Sequence, residues 1–175
     1  MQRIAWLPIL TLVSISSLPL GRPTYPASAE ATLLLAALRS NAYLDSADLP
    51  LCVAELPPTE RSMIIQVLPD YDALRDVPDE ALAMLSVARA GVVNWSDCEL
   101  DPTTSLLDSW LFTGSRLRDQ QRPAITVWLQ TPLARQDSTV RSVVAYSSAQ
   151  QRGGLWCSAV ERSAGWHATG CEPLW

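Results

Sequence analysis

The sequence predicts an α+β domain in which N-terminal helices pack on a C-terminal antiparallel meander of at least four strands, stapled by two disulfides. Three observations carry this reading. Apolar residues recur at helical spacing before Gly91, they alternate with period two after Ala124, and all four cysteines fall downstream of an apolar leader. The whole chain has 175 residues and 48% hydrophobic content, enough for one ordinary globular core.

The leader comes first. Met1-Gln2-Arg3 is a short basic start, and Ile4 to Leu20 carries Trp6, Leu7, Ile9, Leu10, Leu12, Val13 and Ile15 before the chain turns polar. Ala27-Ser28-Ala29 then supplies the small residues that precede a signal-peptidase cut, which is expected after Ala29. A retained membrane anchor fits less well, because the apolar stretch is interrupted by Pro8 and Pro19 and is shorter than the ~20 residues a span needs. The reading is therefore a signal peptide at 1–29 and a single domain at 30–175, with no membrane span after processing. Processing takes away Arg3 and Arg22 and no acid, so 11 arginines remain against 18 acids and the net charge is −7. All 13 basic residues of the chain are arginine, and none form a cluster, which argues against nucleic acid as a partner.

The elements follow in order. Glu30 to Asn41 places Leu33, Leu34, Ala37 and Leu38 at helical spacing. Leu51-Cys52-Val53-Ala54 suits a short strand. Pro58-Thr59-Glu60 opens a second helical segment holding Met63, Ile64, Val67 and Leu68 before Pro69. Pro78 to Ala90 is the clearest helix, with Pro78 in the first turn, Asp79 and Glu80 at the positive end of the dipole, Leu82, Leu85 and Ala88 on one stripe, and Gly91 as the stop. Residues 103–113 fit either a helix or the start of a strand. Ile125, Val127 and Leu129 alternate with Thr126, Trp128 and Gln130, and a second alternating run covers Val140 to Ser147. Hairpin-sized polar connections at 134–138 and 148–153 join these strands to the next.

Gly154 to Arg162 and Trp166 to Cys171 read as a hairpin around a three-residue loop, Ser163-Ala164-Gly165, with Gly165 in the left-handed region. If Arg162 faces Trp166, Cys157 faces Cys171 on a non-hydrogen-bonded pair, at a spacing a disulfide can bridge. Cys52 then pairs with Cys98, and an even set of cysteines in an exported chain favours such bonds over thiols or zinc. The same register places His167 opposite Glu161. It also puts Trp156, Val160, Trp166 and Ala168 on one apolar face, expected to be the core face.

Catalytic signatures are thin. The chain holds no nucleophile elbow, zinc-protease motif, phosphate loop or dinucleotide fingerprint, and its one histidine limits general acid–base chemistry. A metal held by Cys157, Glu161, His167 and Cys171 would need ligands spread over roughly 13 Å of strand, too far for one zinc. The acidic run from Asp70 to Glu80 fails the EF-hand pattern at Leu74, Arg75 and Ala81. No catalytic residue, metal or cofactor is assigned. The remaining lead is aromatic: Trp156, Trp166 and Trp175 gather near the C-terminus and are the candidate ligand-binding residues.

The order of Cys52 in a short apolar strand, Asp97-Cys98, Arg122-Pro123-Ala124-Ile125, Gly154-Leu155-Trp156-Cys157, Gly165-Trp166 and a terminal Trp175 resembles small exported bacterial α+β proteins of uncharacterised function. Helices followed by a curved meander are also similar to the NTF2/cystatin-like architecture, which hosts binding modules and enzymes alike. The expectation is a periplasmic or secreted, non-enzymatic module that binds an envelope protein or small ligand. The rival is a small carboxylate-based hydrolase, for which 18 acids offer candidate pairs.

Overall fold

The computed structural model describes residues 27–46, 48–56, 71–101, 114–130 and 134–174. The expected helix over 58–68, the undecided stretch 103–113 and Trp175 lie outside these. Among the described residues the fold is α+β, sheet-rich and mostly antiparallel, with two disulfides. No described helix is long and apolar enough to cross a membrane.

Helix α1 (Ala27–Ser40) covers the expected helix but begins three residues earlier, before the expected cut, and ends one residue sooner; Ala29, Leu33, Leu34, Ala37 and Leu38 all point into one core. It ends at Asn41, whose side-chain oxygen accepts hydrogen bonds from the backbone N–H groups of Tyr43 (3.0 Å) and Leu44 (3.2 Å) and so caps the short α2 (Ala42–Ser46). A competing cap is what stops α1. Strand β1 (Leu51–Leu56) follows, longer than expected and buried on both faces.

The N-terminal half also contributes short strands that the sequence does not announce: β2 (Arg75–Asp76), β3 (Val92–Asn94) and β4 (Cys98–Leu100). Helix α3 (Asp79–Ala88) lies between β2 and β3, and buries Ala81 and Leu85, while Ala88 is exposed. Gly91, at φ +74°, turns the chain into β3. Strand β1 runs parallel to β3 and to β6 (Pro123–Gln130), pairing Leu51 with both Val92 and Ile125. Such two-sided burial is what a parallel, apolar run demands. Strand β5 (Ser115–Leu117) pairs antiparallel with both β4 and β6.

The remaining strands are β7 (Ala134–Gln136), β8 (Thr139–Ser147), β9 (Arg152–Arg162) and β10 (Gly165–Pro173). Along the main path the order is β10-β9-β8-β6-β1-β2. One face of this sheet carries Leu51, Val53, Ile125, Val127, Leu129, Val140, Val144, Leu155 and Cys157, and α1 lies across it. The other face holds a second apolar cluster of Ala54, Leu56, Leu74, Trp128, Val143 and Ala145.

Between β8 and β9, Ser148 organises the connection by accepting N–H donors from Gln150 (3.1 Å) and Gln151 (3.0 Å). Gly153 then pairs with Tyr146, whose ring covers it; a Cβ there would stand 2.6 Å from the tyrosine oxygen and 2.8 Å from ring carbons. Because Tyr146 is buried, the ring cannot swing away freely. Gly153→Ala is expected to lower stability by about 1–3 kcal/mol in denaturant unfolding; an unchanged midpoint would show that the ring relocates.

The β9–β10 hairpin corrects one expectation. Its loop is two residues, Ser163-Ala164, and Gly165 (φ +110°) faces Arg162. The register is therefore one residue off from the expected one near the turn, and His167 faces Val160 rather than Glu161. A bulge between Ala168 and Gly170 absorbs Thr169 and restores Cys171 opposite Cys157. The disulfides are Cys157–Cys171 and Cys52–Cys98, with Cα separations of 4.1 and 6.2 Å.

Candidate functional site

The bulge decides where the aromatic side chains go. Trp166 pairs with Glu161, which places it on the α1 side of the sheet, where it packs half-buried against the core that includes Cys157. Trp156 points to the other face and rests on the second apolar cluster. The single apolar face of Trp156, Val160, Trp166 and Ala168 expected from an unbulged hairpin therefore does not exist. Trp156 and Trp166 are not neighbours across one patch, and Trp175 is outside the described residues.

Around Trp156 the outer sheet face opens into a recess of about 400 Å³, lined by Arg141 of β8, Trp156 and Ser158 of β9, and Thr169, Gly170, Cys171 and Glu172 of β10. Register explains the grouping. Ser158 pairs with both Arg141 and Gly170, and Trp156 pairs with Glu172, so strand alternation brings their side chains to one side. Thr169 is there only because the bulge inserts it. Gly170 (φ +148°) has open space where a Cβ would be. The floor is a rigid indole held from beneath by packing, and the rim offers a guanidinium, a carboxylate and two hydroxyls. Such a set can stack an apolar ring face while donating and accepting hydrogen bonds at its edge. Its volume falls within the range of small-ligand sites.

A second recess, of about 380 Å³, lies where the starts of β1, β3 and β6 converge. There the Leu51 N–H donates to Gly91 and the Ile125 N–H to Pro50, both at 2.9 Å. Asp45, Asp48, Arg89 and Arg122 line it. Arg89 donates through Nη2 to the Leu49 carbonyl (3.0 Å); burial lowers its guanidinium below the ordinary value, and Asp45 and Asp48 oppose that. Sequence reasoning does not reach this recess, because its residues come from three short connections with no periodic signal.

Among the described residues, one acid is shifted upward. Glu30 of α1 is held at about 7 by burial, reinforced by Glu55 of β1, and it lines neither recess. His167 is exposed. No family model matches the chain, and no significant match occurs among curated proteins or solved structures.

Proposed function

We propose that the chain is an exported, disulfide-stapled binding module of the bacterial envelope, periplasmic or secreted, whose ligand seats on Trp156. The observation that carries this reading is the recess itself: a half-buried indole floor ringed by Arg141, Glu172, Ser158 and Thr169. That chemistry suits a hydroxylated ring such as a sugar unit, which presents an apolar face to the indole and hydroxyls to the charged rim. The two disulfides support an oxidising compartment. The hydrolase reading is weaker. A retaining or inverting carboxylate mechanism needs one acid kept protonated at the site, and Glu30, the acid among the described residues whose affinity for its proton is raised, stands outside the two recesses described.

Titration of the processed protein with soluble envelope oligosaccharides, read by calorimetry, tests the reading. Saturable binding is expected, lost at least tenfold in Trp156→Ala and retained in Trp166→Ala, whose indole lies on the other face. Equal loss in both variants, or no binding to any oligosaccharide, would remove the proposed ligand class.

A further inference from the structure

The β9–β10 hairpin carries two registers, and the recess around Trp156 depends on the second. The two-residue loop pairs Gly165 with Arg162, and that count holds as far as Ala168, which faces Ala159. Continued without interruption, it would bring Thr169 opposite Ser158, Gly170 opposite Cys157, Cys171 opposite Trp156 and Glu172 opposite Leu155. Instead the bulge at Thr169 moves every later residue by one, so that Cys171 meets Cys157 and Glu172 meets Trp156. A shift of one residue exchanges the two faces of a strand, so the bulge is what sends Glu172 to the recess and Cys171 to the α1 side.

The second register has little else to hold it. The bulge removes one pair from the ladder and sets Gly170 at φ +148°, a conformation that other residues rarely adopt. Strand β10 ends the main path of the sheet, with β9 as its neighbour there. The corner that Glu172 would enter on slipping is open, since Pro173, which now stands on that side, is exposed. The covalent restraint is the Cys157–Cys171 bond, which begins at the residue after Gly170.

We propose that the Cys157–Cys171 disulfide is a redox-controlled register lock on the Trp156 recess. Closed, it holds Glu172 on the rim; opened by a dithiol reductant, it lets β10 slip back by one residue, and the Cys171 thiol takes the place of Glu172. The two thiols of the reductant supply two electrons and two protons, the protein S–S bond breaks, and one S–S bond forms in the reductant. Its thiolate attacks at Cys171, which is half-buried and lines the recess, and passes over Cys52 and Cys98, which are 0% and 1% exposed. The consequence for ligand binding rests on the function proposed above, and the change of register does not.

The ligand-free protein is read first, by cross-strand nuclear Overhauser contacts in the parent and in the Cys157→Ala/Cys171→Ala variant. The contact between Ala168 and Ala159 is expected in both, as the sign of an intact hairpin, while the Glu172–Trp156 contact of the parent gives way to Glu172–Leu155 in the variant. Deleting Thr169 from the double variant makes the two registers one, so Glu172–Trp156 is expected to return. Persistence of Glu172–Trp156 in the double variant, or its absence after the deletion, overturns the lock. Calorimetry follows, with an oligosaccharide that binds the oxidised parent. Mild dithiothreitol is expected to open Cys157–Cys171 alone, by alkylation and peptide mass mapping, and to weaken binding about tenfold through loss of one hydrogen-bonded carboxylate. Opening of Cys52–Cys98 first overturns the selectivity, and unchanged affinity overturns the control of binding. Failure of the oxidised parent to bind removes the proposed function, while the contacts still decide the lock.

Discussion

Replacing both Cys52 and Cys98 by alanine is expected to cost about 4 kcal/mol and to lower Tm by roughly 10–15 °C. The bond joins residues 46 apart and ties β1, which pairs with β2, β3 and β6, to β4, which pairs with β5. Its loss therefore returns to the unfolded chain the freedom of a long loop. Both sulfurs are also buried, in a small apolar cluster with Ala124, flanked by Val93, Trp95 and Leu117. The hairpin bond Cys157–Cys171 spans only 14 residues, in strands already paired along most of their length, so the corresponding double variant should cost about 3 kcal/mol or less. Urea unfolding of both variants beside the parent decides the matter. A smaller loss from Cys52/Cys98 than from Cys157/Cys171 would mean that loop entropy does not rank these staples.

The second large effect belongs to Glu30 in a chain that keeps residues 27–29. Its carboxyl moves from 4.5 to about 7 on folding, through burial first and Glu55 second. Below about pH 4.5 the group is protonated folded and unfolded, and stability is unaffected. As pH rises towards 7 the unfolded chain releases this proton while the folded one holds it, so stability falls, and above 7 the deficit is constant. At ~1.4 kcal/mol per pH unit between those two values the deficit is about 3 kcal/mol. Glu30→Gln removes this dependence. Measured as the variant minus the parent, unfolding free energy should rise by about 3 kcal/mol between pH 4.5 and 7.5. A flat difference, or one of opposite sign, would show that Glu30 finds water or a cation that this packing does not give it.

The elements legible in the sequence are those whose periodicity lasts. Leu33 to Leu38 and Pro78 to Leu85 announce α1 and α3, and alternation in Ile125 to Gln130 and Val140 to Ser147 announces β6 and β8. The Cys157–Cys171 bond was read from a register that is one residue off near the turn, and it holds because the bulge that absorbs Thr169 restores the alignment before Cys171; Cys52–Cys98 then followed by elimination. Strands β2, β3 and β4 were not legible, since two or three residues cannot display a period, and their pairing is set by β1 and β5 rather than by their own residues. The parallel β1–β6 pairing was hidden for a related reason: it joins Leu51 to Ile125 across the chain, and nothing local records it.

At the candidate site, Trp156 was legible as an aromatic of interest and its partners were not. Arg141, Thr169 and Glu172 reach it only through the register and the bulge. Thr169-Gly170, a small polar residue before a glycine within a strand pattern, was the available signal for that bulge. Reading it would have turned Trp166 to the α1 side.

The placement of β1 between β3 and β6 has a kinetic consequence. The main sheet cannot close until residues 123–130 have been made and have found a partner 74 positions back in the chain. Such distant pairing pays its loop-closure entropy before any contact rewards it, and folds of this kind reach their native state slowly. In a polypeptide emerging from a ribosome the sheet thus stays incomplete until residues 123–130 have appeared.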